Sequence, residues 1–461
     1  MSVWMSFLTQ RRQQYLEELC EFLRIPSISS LPEHAEAVSE AAQWVANRMR
    51  SAGIEGVRVL STGGHPVVYG EHTHVPDRPT VLIYGHFDTQ PVDPEGLWEQ
   101  PPFEPLIKNQ RIYGRGASDN KGPMLIPILA VEALLKTEGA LPVNVKFLFE
   151  GQEEIGSPQI PEFLDAHQEM LSCDLVVSAD GVQWQEDQPA IYLGFKGICA
   201  LQIDVRGPDT DLHSGIFGGT VQNPLHALTQ LINSMRDAHG EICVEGFYDD
   251  VRPLSEWDRQ QIAAVPFDEE AYKTRLGVTT LFGEPGYTTL ERAWSRPTLE
   301  VVGLWGGFQD EGIKAVMPAE SHAKISCRLV ANQTPQGITE AITRHVLRHT
   351  PPGVTATVCA LDSQAFPYTI PTDHPGNQVA HAVLKKVYGK DPYYVRLGGT
   401  LPICDMFLDK LSAYTVMFAF GLDDECIHAP NEFFRLSSFD RGLQAYGLFL
   451  EALATYPQGN Q

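Results

Sequence analysis

The stretch Val81-Leu-Ile-Tyr-Gly-His-Phe-Asp-Thr-Gln-Pro-Val92 decides how the chain is read. Four residues of buried-strand character, Val81 to Tyr84, run into Gly85, and a His-x-Asp pair follows at once. In open α/β sheets, ligands bind outside the carboxyl ends of the strands, so His86 and Asp88 lie where a site is expected. Residues two apart in extended chain point the same way, and a His held by a carboxylate is the pairing a metal ligand needs. A single His-x-Asp is an ordinary turn. The recurrence of the design along the chain gives it weight.

Ile112-Tyr-Gly-Arg-Gly-Ala-Ser-Asp-Asn-Lys-Gly122 places Asp119 after a glycine-bent strand end and before an apolar helix from about Met124 to Lys136. Its glycine spacing is not the dinucleotide fingerprint, and no acidic residue closes a β-α-β unit behind it. Val143 to Phe149 reads as a strand that enters Glu150-Gly-Gln-Glu-Glu-Ile-Gly-Ser157, with Glu153 and Glu154 side by side. Leu175-Val-Val-Ser-Ala-Asp180 is a further strand ending in a carboxylate. Upstream, helices are expected from about Phe7 to Leu23, stopped by Ile25-Pro26, and from about Glu36 to Ala52, stopped by Gly53.

From about Gly197 the pattern changes. Ile198 to Val205 alternates as a strand, Asp211-Leu-His-Ser-Gly215 follows as a loop, and a helix is expected from about Asn223 to Met235. A long polar and aromatic insertion, about 245–297, precedes the strand Thr298–Val302. Ser321 to Leu329 alternates cleanly, with Ala323, Ile325, Cys327 and Leu329 on one face and Lys324, Ser326 and Arg328 on the other. Thr334-Pro335 opens a helix to about His349, and Val354 to Leu361 closes a separate α+β domain. The first fold resumes near Asp373 with a helix to Tyr388. Arg396-Leu-Gly-Gly-Thr-Leu-Pro402, a strand from Ala413 to Phe420, a loop carrying His428 and a last helix from about Ser438 to Ala454 complete it.

Length and composition bound the reading. A chain of 461 residues exceeds one comfortable core. Its 58 acidic against 34 basic residues give a net charge of −24, which repels nucleic acid and anionic membrane. No apolar run has the length to cross a bilayer, and the first residues do not read as a signal peptide. Eight cysteines without any C-x-x-C suit buried thiols in a reducing cytoplasm.

His86, Asp119, Glu154, Asp180 and His428 together offer two imidazoles and three carboxylates, an N/O set that suits zinc or manganese. Five ligands are too many for one catalytic zinc, whereas two ions sharing a carboxylate need about this many. Two such ions roughly 3.5 Å apart would clamp a water and polarise a carbonyl. A carboxylate free of both ions is then needed as general base, and one of Glu153 and Glu154 would serve.

Gly85-His-Phe-Asp-Thr-Gln-Pro-Val92, Gly114-Arg-Gly-Ala-Ser-Asp-Asn-Lys-Gly122, Glu150 to Ser157, Ser178-Ala-Asp180 and Ile427-His-Ala-Pro-Asn-Glu432 resemble the M20 metallopeptidase family. The stretch from Arg296-Pro-Thr-Leu-Glu-Val to Ile325-Ser-Cys-Arg-Leu329 resembles its dipeptidase branch, which includes carnosine and cytosolic nonspecific dipeptidases. The resemblance spans nearly the whole chain. It implies an α/β fold: a mixed-sheet zinc-exopeptidase catalytic domain with helices on both faces (1–196 and 367–461), interrupted by a smaller α+β lid and dimerisation domain (197–366). It implies that Asp119 bridges two Zn2+ ions, with Mn2+ or Co2+ as alternatives. His86 and Asp180 would hold one ion, Glu154 and His428 the other.

Further roles come from the same resemblance. Glu153 would be the base, and Asp88 would orient His86. His213 would polarise the scissile carbonyl from the partner subunit of a homodimer formed through the lid. Arg328 would pair with the substrate's terminal carboxylate, helped by His374, Gly398, Gly399 and Thr400. The peptide bond after Asp119 is expected to be cis. Phe87 stands where Tyr is common and Thr400 where Ser is common. The implied activity is hydrolysis of dipeptides or short peptides with a free carboxyl terminus, the alternative being removal of an acyl group from an N-acyl amino acid. The long insertion and the 296–329 stretch favour the dipeptidase.

Overall fold

The computed structural model describes residues 2–455. The chain forms two compact units. One takes the chain through Tyr192, then Ile370–Tyr394 and the chain from Met406; the other takes Leu193–Thr369 and Val395–Asp405.

The first unit is built on a six-stranded mixed sheet. Its strands are β1 (Glu55–Leu60), β2 (Val67–His72), β3 (Thr80–His86), β4 (Asn144–Glu150), β5 (Leu175–Ser178) and a sixth at Thr415–Met417, in the order β1-β2-β4-β3-β5-(415–417). β3 runs parallel to β4 and β5, and the sixth strand parallel to β5, whereas β2 is antiparallel to both β1 and β4. Val81 to Tyr84 are fully buried, as expected of a parallel strand covered on both faces. The covering is visible at consecutive residues, which point to opposite faces. Tyr84 meets Phe407 edge-on, with ring centroids 5.2 Å apart. A Cβ at Gly85 would instead lie 3.0 Å from Met124 and 2.9 Å from Asn120, so only glycine lets the next helix come this close.

That helix, α3 (Lys121–Glu138), follows α1 (Val3–Leu23) and α2 (Ala35–Ala52) in the chain. It is buried on every side from Lys121 to Leu134, which its nearly uniform apolar sequence dictates. Gly53 ends α2 in the left-handed conformation, with φ +91°. α1 begins at Val3, four residues before the sequence suggests, and α3 begins at Lys121 rather than Met124. The apolar run Ala413–Phe420 yields only the short strand Thr415–Met417. Gly421–Leu422, just beyond it, pairs with Val182–Gln183 in a separate ladder.

The second unit holds an antiparallel four-stranded sheet in the order 298–306, 320–329, 197–206, 355–365. Ala323, Ile325, Cys327 and Leu329 join Cys199, Leu201, Ile203 and Val205 in one core with the helices Pro224–Ser234 and Pro335–His349. The insertion is more structured than its composition suggests. It contains three short helices, Glu256–Ala264, Glu269–Leu276 and Thr289–Ser295, two of them opened by capping boxes at Ser255 and Thr288. The boundaries also differ from the sequence expectation: the second unit begins at Leu193 and runs to Thr369, where 197 and 366 were expected, and it includes Val395–Asp405. Its Arg396 guanidinium is paired with the buried Asp258.

No helix among the described residues is long and apolar enough to cross a membrane. Ile325 is fully buried between the strands and the helices of the second unit, whereas its neighbour Lys324 is exposed. Ile325→Ala is expected to cost about 2–5 kcal/mol, and Lys324→Ala no more than about 0.5 kcal/mol. Chemical denaturation of the two variants beside wild type measures both values.

Candidate metal centre

The centre lies in the first unit at the carboxyl ends of β3, β4 and β5, where an open α/β sheet presents its ligands. His86 is the last residue of β3 and is fully buried. Glu153 and Glu154 open a short 3-10 turn three residues past the end of β4. Asp180 follows β5 by two residues. Asp119 stands at the head of α3, its peptide bond to Asn120 cis. His428 comes from a late loop and has a left-handed backbone, φ +60°.

These five ligand candidates converge in two triads that share Asp119. Ligand atoms of His86, Asp119 and Asp180 lie within 4.8 Å of one another, and so do those of Asp119, Glu154 and His428. The two oxygens of Asp119 face different partners. Oδ1 is 3.1 Å from His86 Nε2, and Oδ2 is 2.9 Å from His428 Nε2. Asp180 Oδ2 lies 3.9 Å from His86 Nε2 and Glu154 Oε2 3.2 Å from His428 Nε2. Glu153 belongs to neither triad.

Asp88 supports both sides of the group. Its Oδ1 accepts from the Glu153 amide and its Oδ2 from the Glu154 amide, at 3.2 and 3.1 Å. Its Oδ1 also lies 3.4 Å from His86 Nδ1, and its backbone oxygen 3.2 Å from the same nitrogen. With Nδ1 so engaged, Nε2 is the ring atom turned to the triad.

The electrostatics describe a site short of positive charge. Burial pushes the Glu154 carboxyl up to about 7, reinforced by the charge of Asp119. Burial raises Asp180 to about 6 against the attraction of His86. It also drives Glu153 well above the usual carboxylate range, with Asp180, Glu154 and Asp119 adding repulsion. Asp119 is held below its ordinary value in spite of burial, by hydrogen bonds from His428 and His86. His428 is correspondingly raised to about 10 through its bonds to Asp119 and Glu154. Glu154 Oε1 is buried and has no hydrogen-bond partner, and an unpaired buried oxygen is costly. Cations at the two triads would satisfy that oxygen and offset the repulsion. The N/O donor set, without thiolates, suits Zn2+ or Mn2+.

Several residues that hold the centre were not singled out from the sequence. Glu432 is fully buried and accepts from the amides of Gly116, Ser118 and Asp119 and from Arg115 Nη1, at 2.9–3.0 Å. Glu425 accepts from Ser118 Oγ at 2.6 Å. Asn120 accepts from the His86 amide through Oδ1 and donates to Ala179 O through Nδ2. Gln90 Nε2 donates to Glu154 Oε2. Glu432 lies within the His428 motif, but nothing in a lone glutamate announces a buried cradle.

The other candidates fall as follows. In the second unit, Arg328 projects from the strand Glu320–Leu329, and its Nη1 donates to Thr400 Oγ1 at 2.7 Å. Gly398 and Gly399 immediately precede Thr400, and Gly399 O accepts from the Lys196 amide. His213 is exposed and caps a short helix, its Nδ1 accepting from the Gly215 amide. Asn223 caps the helix Pro224–Ser234 through the Leu225 amide. In the first unit, His374 caps the helix Pro375–Tyr388 in the same manner, through the Gly376 amide. Burial lowers its pKa.

Known proteins share this organisation. The sequence pattern of peptidase family M20/M25/M40 matches residues 82–452. The Cys-Gly metallodipeptidase dug1 of Schizosaccharomyces pombe is 29% identical over 97% of this chain and 97% of its own. The human Beta-Ala-His dipeptidase is 31% identical over 84% of this chain and 78% of its own. The solved structure of the M20 family metallo-carboxypeptidase Sso-CP2 from Sulfolobus solfataricus has a TM-score of 0.79 at 32% identity, covering 95% of this chain and 99% of that one. With two triads at the strand ends and a match spanning most of its length, the chain belongs to peptidase family M20/M25/M40, on the branch that holds the dipeptidases.

Proposed function

We propose that this enzyme hydrolyses the peptide bond of dipeptides and short peptides that carry a free C-terminal carboxylate. One observation carries the reading above the others: Glu153 is a carboxylate amid the two triads that belongs to neither. His86 with Asp180, and Glu154 with His428, would each hold one divalent cation, and Asp119 would touch both. Zn2+ is the expected ion, with Mn2+ or Co2+ able to replace it. Such cations supply electrophilic charge for a scissile carbonyl and lower the pKa of water. Glu153 would take the proton of the attacking water and deliver it to the leaving amine. Asp88 would keep Glu153 and Glu154 in register through their amides while holding His86 in place. The names of the relatives, Cys-Gly and Beta-Ala-His dipeptidases, support small dipeptides over N-acyl amino acids.

Arg328 would receive the substrate carboxylate. Thr400 engages one guanidinium nitrogen, and the fork retains further N–H groups for a charge-assisted pair. Gly398, Gly399 and His374 would assist. His213 presents Nδ1 as an acceptor, so the neutral ring carries its proton on Nε2, the form that donates to a developing oxyanion. We assign that donation to the active site of the partner subunit in a homodimer. Eight cysteines, none of them in a disulfide, support a cytoplasmic setting.

Three outcomes test this reading. Glu153→Gln should keep its metal content and lose roughly 10²–10⁴-fold in turnover, whereas Glu154→Gln should lose metal; elemental analysis beside kinetics separates the two. The reverse pattern would exchange base and ligand.

Arg328→Ala should raise KM for dipeptides by roughly ten- to a hundredfold, the scale of a charge-assisted bond worth about 1.5–3 kcal/mol. C-terminally amidated substrates should show much less effect. Equal losses on both would remove Arg328 from the carboxylate site.

Glu153→Ala and His213→Ala chains, each inactive alone, should recover about a quarter of wild-type activity when dissociated and reassembled at equal ratio. Random pairing makes about half the dimers mixed, and each mixed dimer has one whole site. No recovery among proven mixed dimers would place His213 in its own chain's site.

A further inference from the structure

A second group of metal-binding side chains lies away from the centre just described. Glu55 is the first residue of β1, His72 the last of β2, and His74 follows two residues on. Glu55 pairs in register with Glu71, the neighbour of His72, so the ends of both strands meet here. Ligand atoms of Glu55, His72 and His74 all lie within 4.8 Å of one another. The register of the sheet separates this group from the catalytic end. β2 is antiparallel to β4, with Val67 opposite Glu150 and His72 opposite Val145. Five strand steps of about 3.3 Å therefore separate His72 from the level at which β4 delivers its glutamates, roughly 17 Å.

His74 Nε2 and Glu55 Oε2, 2.7 Å apart and both more than half exposed, would by themselves be an ordinary surface ion pair, worth little. His72 distinguishes the group. It is only 9% exposed, and its Nδ1 is buried with no hydrogen-bond partner. Its ring meets that of His74 edge-on, with centroids 4.9 Å apart. Two imidazoles converging on one carboxylate, one ring held rigid by burial and lacking a protein partner for a nitrogen, is an arrangement that a cation completes.

We propose that Glu55, His72 and His74 form an auxiliary site for a single transition-metal cation, of the class Zn2+ or Ni2+. The two-nitrogen, one-oxygen donor set selects such ions over Mg2+ and Ca2+, which take oxygen ligands. Three protein ligands leave the remaining positions to water. The bound ion ties the edge strand β1 to the chain beyond β2, where one hydrogen-bonded pair otherwise joins them, and it takes no part in hydrolysis.

The test uses the full chain and Zn2+ as the probe. Wild type, His74→Ala and Glu55→Gln are equilibrated with the same buffered free Zn2+, and bound zinc is counted by elemental analysis. Wild type should carry one zinc per chain more than either variant, while turnover of a dipeptide stays the same in all three. The difference is taken between chains with an identical centre, so it stands whatever the centre itself holds. Equal counts in the three proteins overturn the proposal. A lower count accompanied by lost turnover overturns it as well, because the substitutions would then have reached the central ions.

Discussion

A buried carboxylate outside both triads holds the loop on which the centre depends. Glu432, wholly buried, gathers the amides of Gly116, Ser118 and Asp119 and the Arg115 guanidinium, and so holds the backbone from Gly116 to Asp119. Burial alone would favour its neutral form and raises its pKa; Arg115 and the amides work against that rise. Because the loop is held from behind, the Asp119 carboxylate stands clear with one oxygen toward His86 and the other toward His428. The sharing of one residue between two triads is thus a property of the support as much as of Asp119.

The same logic repeats at Asp88, which accepts two successive amides in the turn after β4. Two supporting carboxylates therefore orient three others, Asp119, Glu153 and Glu154. Concentrating so much negative charge in a buried place is unfavourable, and the raised pKa values of Glu153, Glu154 and Asp180 express that cost. Divalent cations at the two triads would offset that repulsion.

The legible parts of the site are those where local sequence dictates local geometry. A run of apolar β-formers followed by a polar residue places that residue at a strand end, so His86, the adjacent pair Glu153 and Glu154, and Asp180 were each expected beyond a strand, with the choice within the pair left to the family resemblance. Asp119 was read as following a glycine-bent strand end and His428 as lying in a loop after a strand, and their motifs strengthened both readings. Of the supporting residues Asp88 was anticipated, but Glu432 and Glu425 were not, because a glutamate that accepts buried amides has the same local sequence as one in water. The edge strand β1 escaped notice for a related reason, since Glu55-Gly-Val-Arg-Val-Leu60 is interrupted by a glycine and a charge. The short helices of the insertion carried a readable signal in Ser255-x-x-Asp258 and Thr288-x-x-Glu291. Their polar and aromatic composition concealed it. The run Ala413–Phe420 failed in the opposite sense, being apolar because it is buried and not because it is extended throughout.

The membership of Val395–Asp405 in the second unit bears on how the protein is made. The chain passes between the units four times, and the last visit brings Thr400 to Arg328 and Arg396 to Asp258. During synthesis from the amino terminus, the second unit stays unfinished after its own sheet is complete. Arg328 has no Thr400, and the buried Asp258 has no Arg396, until the ribosome has passed Asp405. A segment cut out at 197–366 would carry the same defect permanently. The second unit therefore acquires the partners of Arg328 and Asp258 only once the chain has been made through Asp405.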